Sequence, residues 1–171
     1  MKLQKNLKLL RLNGRNQMSS ELENDILEYI DKDHPKFYQA LWRIMDLKDI
    51  TVLELARYSY LSKEQIYRYL KEKEYGGVVR YKTENIVSFC VAMHLNLKLS
   101  KKLIQIAGSP YNPKMCVKDR RYQYILKNAP IWNMDDVNRY IDRINETITE
   151  DHLSHLPNEK TYQRHLRMQE G

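Results

Sequence analysis

The sequence predicts an all-α protein. Apolar residues recur at three- and four-residue spacing along most of the chain. Two S/T-x-x-E/Q capping boxes, Thr51 to Glu54 and Ser62 to Gln65, each open a short apolar stripe. Gly and Pro number only five each among 171 residues, too few for the many tight turns of an all-β chain.

The elements follow in order. Residues 1–20 carry five bases and no acid, and read as a basic arm or a short helix. Residues 21–33 carry six acids against Lys32. Leu22, Ile26, Leu27 and Ile30 there lie at helical spacing, predicting an amphipathic helix capped by Ser19 or Ser20 and ending near His34-Pro35. A second helix places Phe37, Ala40, Leu41, Ile44, Met45 and Leu47 on one stripe. Thr51 then opens a short helix through Leu55 and Ala56, and Ser62 opens another through Ile66, Tyr69 and Leu70. Only Ser59, Tyr60 and Leu61 lie between them, room for a tight turn. Tyr75-Gly76-Gly77 breaks the pattern.

A helix is predicted over Asn85 to Asn96, and another from a Ser100 cap to a Gly108 stop. Basic residues 117–127 form a further helix, and Asn133 or Asp135 caps one through Val137 and Ile144. Beyond residue 150 the composition is polar, predicting a weakly ordered tail or a peripheral helix. The organisation is thus 1–35 basic arm and amphipathic helix, 36–108 a helix-turn-helix domain, 109–150 a helical extension and 151–171 a polar tail.

Lys plus Arg is 29 against 22 acids, a net charge of +7, which invites a polyanionic partner. The first 33 residues contribute nothing to that charge, because +5 and −5 cancel; +4 lies in residues 34–82 and +3 beyond. No apolar run reaches the roughly 18–20 residues that span a bilayer. The N-terminal apolar positions are interrupted by charge, unlike a signal peptide, so a cytoplasmic protein is expected. Cys90 and Cys116 form no CxxC pair and read as reduced thiols.

Two capped short helices around a three-residue turn are the signature of a helix-turn-helix. That motif lays the front of its second helix on the floor of the major groove. Lys63, Glu64, Gln65, Tyr67 and Arg68 are the residues there that the core does not need. Arg and Lys pair with guanine, Gln with adenine, and Glu accepts from cytosine. Thr51 starts the preceding helix, whose backbone N–H groups suit a phosphate. Lys71 and Lys73, just past the second helix, suit the same role, as do Arg80 and Lys82 after the diglycine.

The stretch from Phe37 to about Ile144 resembles the phage-repressor-like helix-turn-helix regulators, of lambda repressor and Cro type. Ile50 to Ala56 matches that family's first motif helix, and Leu61 to Tyr69 its recognition helix. Lys82 to Leu97 resembles its closing helix, and Leu99 to Gly108 a fifth helix common in bacterial members. Arg121 to Leu126 and Met134 to Ile141 resemble a C-terminal extension in a subset of them. Two positions depart from the pattern: Tyr60 stands where the family often has Gly, and Val52 where it often has a phosphate-contacting Gln. The resemblance implies a dimeric transcriptional regulator binding double-stranded DNA.

Other signals are bland. His152, His155 and His165 have no acid or Cys at metal-ligand spacing and read as solvated, so no metal is expected. Tyr29, Tyr69, Tyr122 and Tyr140 fall at core-facing positions. The basic run of Lys114, Lys118, Arg120, Arg121 and Lys127 suits either a DNA backbone or water. No Ser-His-Asp set, HExxH, phosphate loop or carboxylate pair appears, so neither enzyme activity nor a cofactor is expected. The alternative reading is a protein-interaction module, antitoxin-like or part of a defence system, using the same helical surface.

Overall fold

A computed structural model of the chain describes residues 21–71, 79–147 and 152–170. All regular structure among them is helical. The expected basic arm of residues 1–20, the diglycine break and Lys73 lie outside the described residues. Helix α1 covers described residues 21–33. It is followed by α2 (Phe37–Leu47), α3 (Val52–Ser59), α4 (Lys63–Leu70), α5 (Thr83–Ala92), α6 (Leu97–Ile106), α7 (Val117–Asn128), α8 (Met134–Thr147) and α9 (Glu159–Gln169).

Helix α5 is the axle. Every residue from Asn85 to Ala92 is buried; six are apolar, and the side chains of Asn85 and Ser88 are hydrogen-bonded. Helices α3, α6, α7 and α8 all pack on it. One continuous core runs from Ile26 of α1 to Leu156, so the extension over α7 and α8 shares the interior of the preceding helices. Tyr69 of α4 meets Phe37 of α2 at 6.3 Å and Phe89 of α5 at 5.8 Å, both edge-on, which sets α4 firmly against its neighbours. Its hydroxyl accepts from Asn85 Nδ2 at 2.9 Å.

Two helix boundaries differ from expectation. Helix α5 ends at Ala92, not near Asn96, because His94 adopts a left-handed φ of 52° and Leu95 N–H closes back on the Cys90 carbonyl. Helix α6 then begins at Leu97, capped by the Asn96 side chain rather than by Ser100. Ser100 sits buried in the first turns, its hydroxyl donating to the Asn96 carbonyl at 2.8 Å. The Gly108 stop is present, with φ 65°. Asn133 caps α8, accepting from Asp136 N–H at 2.9 Å. Residues past 150 include the peripheral helix α9, preceded by Leu153 and Leu156, both buried.

No helix among the described residues is long and apolar enough to cross a membrane. Cys90 is buried and Cys116 half-buried, both as free thiols.

Candidate nucleic-acid interface

Both capping boxes form as the sequence demands. Thr51 Oγ1 accepts from Glu54 N–H at 3.2 Å, and Thr51 N–H donates to Glu54 Oε2 at 2.9 Å. The Thr51 backbone N–H first, and then the Thr51 hydroxyl, which donates to Glu54 Oε2 at 2.9 Å, hold the Glu54 carboxyl below its usual range. Ser62 Oγ accepts from Gln65 N–H at 3.2 Å, and Ser62 N–H donates to Gln65 Oε1 at 3.1 Å. The helices α3 and α4 are therefore started by their own sequences; Ser59, expected in the turn, is the last residue of α3, and the turn between the helices is confined to Tyr60, Leu61 and Ser62.

That turn is built tightly. Leu61 is buried. The buried Ser59 hydroxyl donates to the Leu55 carbonyl at 2.6 Å and accepts from Leu61 N–H at 3.3 Å. Tyr60 takes the left-handed conformation, φ 58° and ψ 16°, at the position a glycine would fill most easily. Its hydroxyl donates to Asp135 Oδ1 of α8 at 3.1 Å, and its ring lies 6.1 Å from that of Tyr162 in α9. Burial first, then the hydrogen bond to Asp135 and that residue's charge, push the Tyr60 phenol up to about 12.

Helix α4 turns Ile66, Tyr69 and Leu70 inward. Tyr67, Arg68 and Lys71 are exposed on the opposite side, with Lys63 half-buried at the helix start. Their spacing of three and four residues places them on one surface. The Lys71 ammonium lies 5.5 Å from the Tyr67 ring centroid, a cation–π contact.

Two other predicted base readers are already engaged. Glu64 is exposed, but its carboxylate accepts from Gln169 Nε2 at 2.6 Å. The Gln65 oxygen is taken by the capping box, whereas pairing with adenine uses the oxygen and the amide nitrogen together. Thr51 is exposed at the start of α3, its hydroxyl likewise spent on the cap. Arg80 and Lys82 are exposed. Lys82 N–H meets the Tyr69 hydroxyl at 3.4 Å, so the backbone there abuts α4 through its inward-facing tyrosine, away from Arg68.

The neighbour missed by sequence reasoning is α9. It lies beside the α3–α4 turn, and a cleft of about 590 Å³ opens between them, lined in part by Arg57, Tyr58, His94, Met134 and Tyr162. The readable signal was Asn158, whose side chain accepts from Thr161 N–H at 3.0 Å and caps α9. Its destination was not readable, because the Glu64–Gln169 contact joins residues 105 apart in sequence.

Among the described residues no three His, Cys, Asp or Glu side chains gather as metal ligands. His155 pairs instead with Asp142 of α8. The Lys118 ammonium lies 5.6 Å from the ring of Tyr122. No protein-family model, curated protein or solved structure matches this chain.

Proposed function

We propose that the chain is a sequence-specific regulator of phage-repressor-like type. It would read the major groove of double-stranded DNA with residues 62–71, as a dimer. The observation carrying this reading is the α3–α4 pair. Two independently capped short helices meet at a three-residue turn that opens on the left-handed Tyr60, leaving Tyr67, Arg68 and Lys71 exposed and Lys63 half-buried on a helix braced by Tyr69.

The chemistry fits the role. The groove, about 12 Å wide, admits an α-helix. The Arg68 guanidinium suits O6 and N7 of guanine, and Lys71 suits a phosphate. A dimer would set two such helices about 34–36 Å apart, one turn of DNA.

The test is selection from random duplex DNA, followed by titration of the enriched sequence. Arg68→Ala should cost about 1–3 kcal/mol and relax the preference at one base pair. Enrichment of no sequence, or tight binding unaffected by Arg68→Ala, would overturn the reading. A protein partner is the second reading. It is favoured by Leu53 and Tyr58, which are 59% and 50% exposed on α3.

A further inference from the structure

The proposed DNA reading leaves the C-terminal helix without a role, yet its last residue, Gln169, bonds Glu64 at the front of α4. Its place is anchored. Leu156 N–H donates to Asn138 Oδ1 at 3.1 Å, and Asn138 Nδ2 donates to the Pro157 carbonyl at 3.2 Å. Asn145 Nδ2 donates to the Leu153 carbonyl at 2.8 Å, and Leu153 N–H returns to Asn145 Oδ1 at 3.0 Å. Four bonds to α8 and two buried leucines thus fix the segment that leads into α9.

From there α9 runs from the Tyr60 ring, which faces Tyr162, to Glu64, which Gln169 bonds. Its inner side presents Tyr162, His165 and Leu166, all half-buried. Its outer side presents Lys160, Arg164 and Arg167, all exposed. These three line one shallow groove with Met168. None of them pairs with a carboxylate among the described residues.

We propose that α9 is a second DNA-contacting element. Lys160, Arg164 and Arg167 would grip phosphates flanking the groove that α4 enters. This rests on the DNA reading above and enlarges its footprint. Three features favour phosphate as the partner. No residue of α9 is fully buried, so packing does not explain the outward cations. They fall at i, i+4 and i+7, on one face over about 10 Å of helix axis. And the Glu64 carboxylate of α4 accepts from the Gln169 amide and from none of these three cations.

The test uses the full chain carrying Lys160→Gln, Arg164→Gln and Arg167→Gln, with affinity for a selected duplex measured across salt concentrations. Each lost phosphate contact flattens the log–log salt slope by about 0.9, roughly eightfold in affinity at 0.1 M salt. All three together should flatten it by about 2.7 and weaken binding by about 500-fold, with base preference intact. A partner variant, Arg164→Lys with Arg167→Lys, should keep the slope. An unchanged slope overturns the proposal. So does tighter binding by the triple variant, which would make α9 a cover over α4. So does binding of acidic protein in place of duplex through these three residues. If the unaltered chain itself shows no salt-dependent duplex binding, the DNA reading beneath the proposal falls as well.

Discussion

Glu23 joins three helices through one buried carboxylate, and its removal should be felt throughout the fold. The residue is 2% exposed on α1. Its Oε1 accepts from Lys48 Nζ, at the end of α2, at 3.2 Å. Its Oε2 accepts from the backbone N–H of Asn96, the cap of α6, at 3.2 Å. The side chain of Lys48 is itself only 11% exposed. Breaking a buried ion pair from one side costs about 3–5 kcal/mol, because the other charge stays in a poor medium. An abandoned buried N–H adds about 1–3 kcal/mol. Lysine can swing its ammonium toward water, so Glu23→Ala should fall near the lower end, about 3 kcal/mol. For a chain of 171 residues that lowers Tm by about 6–12 °C. Removing both charges together, Glu23→Leu with Lys48→Met, should cost far less than the sum of the single changes. Urea unfolding followed by circular dichroism closes the cycle. Additive costs, or a Glu23→Ala loss below about 1 kcal/mol, would refute the pair as the tie between these helices.

Three further outcomes are expected. Tyr69→Phe leaves the buried Asn85 amide without its acceptor at 2.9 Å and should cost about 1–3 kcal/mol by denaturant unfolding. The Glu54 carboxyl is depressed in the folded chain, so its capping contribution is complete above the ordinary value of 4.5 and fades as pH falls through the folded value. The Tm gap between the native chain and Glu54→Gln should therefore be constant near pH 7 and close in acid. Burial pushes the Cys90 thiol up to about 12, so alkylation at pH 8 should label half-buried Cys116 first and Cys90 only on unfolding, as read by mass spectrometry.

The α3–α4 pair was legible because its signals are local. Thr51 and Glu54, or Ser62 and Gln65, satisfy each other within one turn, so spacing alone reveals them. The apolar stripes of α2 and α7 were legible for the same reason. Ser100 misled because a serine inside a helix resembles one at its start; its hydroxyl bonds the carbonyl four residues back. The earlier stop of α5 at His94 carried no glycine to announce it. Gln65 was expected both in the capping box and as a base reader; the structure shows its oxygen in the cap.

By itself, then, the sequence determined an all-helical chain, its two capped short helices and the outward cations on the second. Those follow from periodicity and from hydrogen bonds closed within four residues. Only the tertiary structure decided that Glu23 ties α1 to α2 and α6, that Asp135 and Tyr162 meet the left-handed Tyr60, and that α9 reaches the front of α4. Each of those contacts links residues far apart in sequence. Their partners are chosen by which apolar faces can be buried together, a property of the whole chain that no local window contains.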